Sequence, residues 1–421
     1  MILAGQALFI VLLAVVLGFV VRAAFRRDGV LGWLVCAAAV TYVTGALLIG
    51  IYLQVVRGRS YLAPDEIAYQ QEGALILEGW RTGAAHVPTI AGGYPYWNAV
   101  VILLCGPSLL PLRLANAVAG TAGVLFAYVL AHRIFNDRFT ARLGAAFVMV
   151  SPSLMIWGAQ NLKERPLGVL VMMSLVAALT LTQRWSWRRL ALFAASLVLL
   201  GELRHYYASM IGWIVIAVAG AAAWPEEAWR SRAIRLAALT AAVGFALQLV
   251  TGTFLASGMR HETIMRYVRV SDPGAPPANA TSLGYRVGET AGKPERVPEQ
   301  TSGTLVRNGW FVLFGRFEPV AGAGPVMALA MAFEWLLSFL LVPLVVFSVW
   351  YGLRNGHQLI LIPAGFVTAM VLLLTYTHGD PWSTIRFRAV YWPVFLILAS
   401  GGVAAFLRAR QSTLHVVNRT S

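Results

Sequence analysis

The sequence predicts an all-α, polytopic integral membrane protein, and three observations carry that prediction. Of its 421 residues, 58% are apolar and only 12% are charged, against roughly half and a quarter in soluble domains. Mean hydropathy is +0.69, and apolar runs of about 20 residues, the length that crosses ~30 Å of hydrocarbon, recur along the whole chain. The short loops between these runs alternate between Arg-rich and Arg-poor, which is the signature of cytoplasmic and outer sides.

Hydropathy with loop charge gives about eleven spans, near 3–22, 30–53, 112–133, 139–160, 166–183, 189–204, 208–223, 234–255, 325–352, 357–377 and 389–407. The first lacks a basic leader and a small-residue cleavage site, so it reads as a retained span and not a signal peptide. Basic loops at Arg22/Arg26/Arg27, Arg133/Arg138/Arg142, Arg184/Arg188/Arg189, Arg230/Arg232/Arg235 and Arg408/Arg410 are assigned to the cytoplasm, with the N-terminus outside and the C-terminus inside. The organisation expected is N-terminal helices at 1–54, an outer loop at 55–111, a membrane core at 112–255, a long outer loop at 256–324 and C-terminal helices at 325–421.

The net charge of +15 is accounted for by those loops, where Lys/Arg also favours anionic lipid, and no nucleic-acid partner is expected. Cys36 and Cys105 both lie in apolar runs and read as small core residues.

The 18 acids are the informative residues. Asp28, Asp137, Glu226 and Glu227 fall on the cytoplasmic side and Glu334 lies inside a span; the others fall on the outer face or its border. The working face is therefore expected outside. In "SYLAPDEIAYQQEG", Asp65 could cap an interfacial helix after Pro64, but Glu66 beside it has little to gain from capping, and a capped helix start is also a rigid place to hold a base. "YPYWNAVVILLCGPS" is too short to span and ends in Gly-Pro, which predicts an interfacial or re-entrant helix anchored by Tyr94, Tyr96 and Trp97.

Four further outer stretches carry charge. "AQNLKERPLG" holds Lys163 and Glu164 ahead of a helix that Pro166 opens, and Lys163 is one of two lysines among 33 basic residues. "GELRHYYAS" offers Glu202, Arg204 and His205, suited either to a phosphate or to interfacial anchoring. "TYTHGDPWSTIRFRAVYWP" places His378, Asp380, Arg386 and Arg388 at the outer end of a span, where charge is a functional candidate by default. The Pro/Gly-rich part of 256–324 reads as a mobile loop, the length of a lid, with a sequon at Asn279-Ala280-Thr281. Tyr69, His261 and Arg316 complete the expected site as acceptor or lid residues. Such a rim suits a reaction between an outer-face nucleophile and a phosphate leaving group anchored in lipid: a carboxylate takes the proton and cations meet the leaving group.

The order of "PDEIAY", "GYPYWNAVVILLCGPSLLPLRLANAVAGTAGVLFAYVLAHRIF" and "ARLGAAFVMVSPSLMIWGAQNLKERPLGVLVMMSLVAAL" resembles the C-type (GT-C) polyprenyl-phosphate-sugar glycosyltransferases, the superfamily of protein mannosyltransferases and of the lipid A aminoarabinose transferase. The resemblance covers about residues 60–220 well and the last spans loosely. It implies an inverting transferase with a polyprenyl-phosphate sugar as donor, and a glycan, lipid or protein as acceptor. It implies Asp65 as base, with Glu66 beside it in the acidic motif and Glu164, preceded by Lys163, as the second outer acid, and it implies outer-rim arginines around the donor phosphate; position alone picks out Arg204, Arg386 and Arg388 for these, with His205 beside them. Some members bind a divalent cation, Mg or Mn, near the first-loop acids, which would put it at Asp65 and Glu66. The chain departs from the family in its extra leading span and in the lack of a large C-terminal soluble domain. The setting implied is the inner membrane of a bacterium, with the site facing the periplasm. A glycan polymerase or ligase with a pyrophosphate-linked donor, and a lipid or solute transporter, are the competing readings; the transporter is disfavoured by the lack of a visible duplication.

Overall fold

The computed structural model describes residues 2–56, 58, 61, 64–83, 93–222, 229–256, 302–314, 325–377 and 381–420. The described residues form helices and no strand. In chain order these are α1 (Ile2–Arg27), α2 (Gly29–Val55), α3 (Pro64–Thr82), α4 (Tyr94–Cys105), α5 (Leu109–Phe135), α6 (Arg138–Val150), α7 (Pro152–Gly158), α8 (Glu164–Gln183), α9 (Trp187–Leu203), α10 (His205–Ala222), α11 (Trp229–Ala256), α12 (Ser302–Phe314), α13 (Pro325–Arg354), α14 (Leu361–Thr377) and α15 (Pro381–Thr420), with a 3-10 turn at Gln358–Ile360.

Eight described helices are long and apolar enough to cross a membrane, and a ninth crossing results if the bent pair α6–α7 is one span. The sequence expects eleven. Two of the missing ones, 189–204 and 208–223, are the helices α9 and α10, of 17 and 18 residues, short for a ~30 Å core. The expected span 139–160 is not straight: its two helices meet at 57°. Ser151 is extended there, with ψ 116°, because the ring of Pro152 disfavours helical geometry in the residue before it.

Helix α5 lies at the centre of the bundle, against α2, α6 and α8. Its buried stripe is rich in small residues, Ala115, Ala117, Gly120, Gly123, Ala127 and Ala131, which lets neighbouring backbones approach closely where lipid offers no hydrophobic drive between helices. Helix α15 is the other central element, with 83% of its spanning window buried, whereas α1 is peripheral with 11% buried.

Helices α3 and α4 pack on each other and lie where the sequence expects interfacial helices. Their contact is close: a side chain at Gly73 would come within 2.7 Å of Asn98 Cβ. The Pro/Gly-rich stretch of the long loop, its sequon, His261 and Arg316 lie outside the described residues, as do His378 and Asp380.

Candidate active site

Helix α3 begins at Pro64, so Asp65 and Glu66 occupy its first turn, where the exposed N–H groups favour acids. Asp65 is therefore one residue inside the helix and not its cap, and it is half-buried. Glu66 beside it is fully buried, and its surroundings explain why an acid is there. Arg113 of α5 donates from Nε to Oε1 at 3.0 Å and from Nη2 to Oε2 at 3.2 Å, and the Asn161 backbone N–H donates to Oε1 at 2.8 Å. Fork-on-fork pairing of this kind is the strong form of an ion pair.

The acid sits in a wider polar network. Asn161 Nδ2 donates to Asn98 Oδ1 at 2.7 Å and to the Glu66 carbonyl at 3.3 Å. The Tyr94 hydroxyl donates to Asn161 Oδ1 at 2.7 Å and accepts from Asn116 Nδ2 at 3.0 Å. Asn116 Nδ2 also reaches the carbonyls of Gln160 and Leu162 at 2.6 and 2.9 Å. Three elements (α3, α4 and α5) are thereby tied to the short connection between α7 and α8, which ends at Lys163 just before Glu164 opens α8.

Several expectations change here. Tyr94 is not a headgroup anchor: it is 1% exposed, while Tyr96 and Trp97 are exposed as expected. Tyr69, expected at the acceptor, is buried with the Lys163 ammonium 5.2 Å from its ring centroid and Tyr94 edge-on at 5.0 Å. Lys163 is itself buried against Tyr69, which takes its ammonium away from the rim where the sequence placed it.

Glu164 is buried at the first residue of α8. Arg204 reaches the start of α15, with its guanidinium 5.6 Å from the Phe387 ring. Arg388, the next residue of α15, is buried with its guanidinium 3.7 Å over Trp392 and one N–H donated to Ser338 Oγ at 2.5 Å. Arg204 and Arg388 each keep a buried Nε–H with no acceptor among the described residues. Arg386 falls within α15. His205 is exposed at the start of α10.

Glu334, the acid in mid-span, has partners of its own. Its Oε1 accepts from Ser151 Oγ and from the Ser153 backbone N–H, both at 2.9 Å, and Trp392 Nε1 donates to Ser151 Oγ at 3.2 Å. The carboxylate thus holds the α6–α7 bend in place, and α7 leads directly to the connection carrying Asn161.

A divalent cation at Asp65 and Glu66 does not fit this donor set. Both Glu66 oxygens already face the Arg113 guanidinium, whose charge would oppose a cation, and no group of three or more His, Cys, Asp or Glu comes together among the described residues. An apolar cavity of about 300 Å³ opens beside the network, with Tyr94, Asn116, Pro166, Leu199 and Glu202 in its wall.

The sequence reading missed Arg113, Asn98, Asn116 and Asn161. The signal was present for the second helix involved: Arg113 and Asn116 stand one turn apart in the otherwise apolar "LLPLRLANAV", and polar groups in such a run demand partners.

Residues 92–250 match the family model described as dolichyl-phosphate-mannose-protein mannosyltransferase. That stretch holds Tyr94, Asn98, Arg113, Asn116, Asn161, Lys163, Glu164 and Arg204, and leaves out Asp65, Glu66 and Arg388. No curated protein matches the chain. Among solved structures, the Archaeoglobus fulgidus oligosaccharyltransferase in its apo form is similar with a TM-score of 0.53 at 16% identity, over 92% of this chain and 52% of that one. The same organism's oligosaccharyltransferase AglB, in complex with an inhibitory peptide and a dolichol-phosphate, gives 0.53 at 15% identity over 94% and 52%. A complex with Zn and sulfate gives 0.54 at 15% over 89% and 49%. The chain spans about half the length of these structures, and at such identity the likeness is one of fold.

Proposed function

We propose that this chain is an inverting glycosyltransferase that moves a sugar from a polyprenyl-phosphate donor to an acceptor at the outer face of the membrane. The observation that carries the reading is a pair of arginines, Arg204 and Arg388, that keep donors to offer. Arg204, half-buried, lies with its guanidinium 5.6 Å from the Phe387 ring, Arg388 is buried at the residue after Phe387 in the same helix, and each keeps a buried Nε–H with no acceptor among the described residues. Cations with donors to offer suit a phosphate, and a half-buried carboxylate at a helix start suits a base.

Asp65 accepts the proton of the acceptor's nucleophile, which attacks the sugar's anomeric carbon from the face opposite the phosphate. The bond between that carbon and the phosphate oxygen breaks, and the electron pair leaves with polyprenyl phosphate. Arg204 and Arg388, with Arg386 and His205 close in sequence, meet the charge of the departing phosphate. Glu66 does not take part in proton transfer: with three N–H donors on it, it braces the turn that presents Asp65. Glu164 and Lys163 stand behind the site and set its field. The apolar cavity accommodates part of a prenyl chain. The dolichyl-phosphate donor in the matching family's description and the dolichol-phosphate held by AglB support a lipid phosphate as donor class. The inner membrane of a bacterium, with the site towards the periplasm, is the setting we assign.

A second reading, a polymerase or ligase with a pyrophosphate-linked donor, draws on the same Arg pair. Purified protein in lipid, given a panel of labelled polyprenyl-phosphate and pyrophosphate sugars with a membrane extract as acceptor, separates the two. Release of polyprenyl phosphate by wild type, lost by orders of magnitude in a folded Asp65→Asn variant, supports the proposal. Turnover only with pyrophosphate donors selects the second reading, and turnover untouched by Asp65→Asn removes the base.

A further inference from the structure

At the end of α1 that the sequence assigns to the cytoplasm, Phe19, Arg22, Ala23, Arg26 and Arg27 border an open surface concavity of about 630 Å³. Their spacing (i, i+3, i+4, i+7, i+8) puts them on one stripe of the helix. We propose that this stripe is a binding site for an anionic phospholipid, with the phosphodiester held by the guanidiniums and an acyl chain along Phe19 and Ala23.

Four observations support it. All three Arg side chains are exposed, and among the described residues none takes part in an ion pair. The acid next in sequence cannot neutralise them: Asp28 caps α2 through the N–H groups of Val30 and Leu31 at 2.9 and 3.3 Å. It also pairs with Arg142 Nη2 at 2.9 Å and accepts from the Tyr128 hydroxyl at 3.3 Å. That same engagement fixes the elbow between α1 and α2, where Phe25 and Trp33 also meet edge-on at 5.7 Å, so the stripe is held on a rigid corner. Finally, α1 is the least buried of the spanning helices, which leaves the stripe facing lipid and not protein. Cations in a last helical turn also answer the helix dipole, and that accounts for Arg26 and Arg27; Arg22 lies a full turn earlier and gains little from it. Planar guanidiniums suit a phosphodiester in bidentate fashion, and the Phe19 ring (68% exposed) on the bilayer side selects a lipid over a soluble anion.

The test is titration of the full-length protein, in neutral detergent, with fluorescent phosphatidylglycerol, alongside phosphatidylcholine and inorganic phosphate. Three guanidiniums at an anionic surface set an expected loss on the order of a hundredfold in phosphatidylglycerol affinity for R22Q/R26Q/R27Q, with phosphatidylcholine binding unchanged. Because loss of three positive charges could invert or unfold the helix, Arg22→Gln alone is the second arm, with an expected loss of about fivefold. Equal phosphatidylglycerol binding by wild type and Arg22→Gln overturns the proposal. So does displacement by millimolar phosphate, which would mark a soluble-anion site.

Discussion

The two ends of the bundle hold their acids in opposite ways. At the α3–α4 end, Glu66 and Arg113 pair with 0% and 4% of their side chains exposed, inside a network of Asn, Tyr and backbone groups. At the other end Arg142 and Arg408 stay 40% and 50% exposed where they meet Asp28 and Asp137, and each of those acids caps a helix. The second arrangement is inexpensive, since capping and a wet ion pair need no desolvation of the cation. The first strips water from both charges, and pairs of that kind are often no more stabilising than apolar residues of the same shape. A fold does not require such a pair, so its presence beneath Asp65 is best explained by the precision it gives the neighbouring carboxylate.

That contrast predicts the ranking of variants. Arg113→Met should be the most damaging, because it leaves Glu66 charged and buried with the Asn161 backbone N–H on it but no guanidinium; loss of one partner from a buried pair costs about 3–5 kcal/mol. Thermal unfolding in detergent measures it. The double variant Glu66→Gln/Arg113→Met should recover a good part of the loss while still failing in transfer, if the pair exists to place Asp65. Recovery of full activity by the double variant would show that the pair is only structural. Next comes Glu334→Ala, which leaves Ser151 Oγ and the Ser153 N–H without their acceptor, at about 1–3 kcal/mol. Its transfer rate should fall and its donor KM rise together, because Glu334 serves both the α7 bend that leads to Asn161 and, through Ser151 and Trp392, the surroundings of Arg388. Glu334→Gln, which keeps an acceptor oxygen, should restore most of both.

Much of this was readable in the chain. Eight of the eleven expected spans followed from apolar length, the helices α3 and α4 from mixed polarity and a Gly-Pro stop, and Asp65, Glu164 and Arg388 stood out as candidates by the scarcity of charge around them. What could not be read was pairing. Arg113 sits at the edge of a run whose apolar neighbours dominate any window, and its partner lies 47 residues away, a separation no local pattern encodes. Tyr94 misled because its sequence context is that of an interfacial anchor, while its hydroxyl is drawn inward by Asn116 and Asn161. The α6–α7 bend had a visible cue in Ser151-Pro152, outweighed in the reading by the continuous hydropathy around it.

The smallest effects belong to the exposed end, and they sharpen the comparison through pH. Burial pushes the Asp28 carboxyl up, but the hydrogen bond from Arg142 and those from the N–H groups of Leu31 and Val30 outweigh it and leave it below the usual carboxylate range. Asp137 behaves alike: burial raises it, and the Thr140 hydroxyl and N–H with the Arg408 charge bring it below. A carboxyl depressed in the folded state contributes stability that is complete above its unfolded value and is lost as pH falls through the folded one. Acidification below the ordinary carboxylate range should therefore weaken this end, and Asp28→Asn and Asp137→Asn variants should each lose less stability between pH 7 and pH 3 than wild type does. At neutral pH, Arg408→Ala should cost only ~0–1 kcal/mol, since half of that side chain is in water. Unfolding followed across that pH range, with each variant beside wild type, decides it: parallel curves would mean these acids are not held by their partners, and the distinction between the two ends would lose its electrostatic basis.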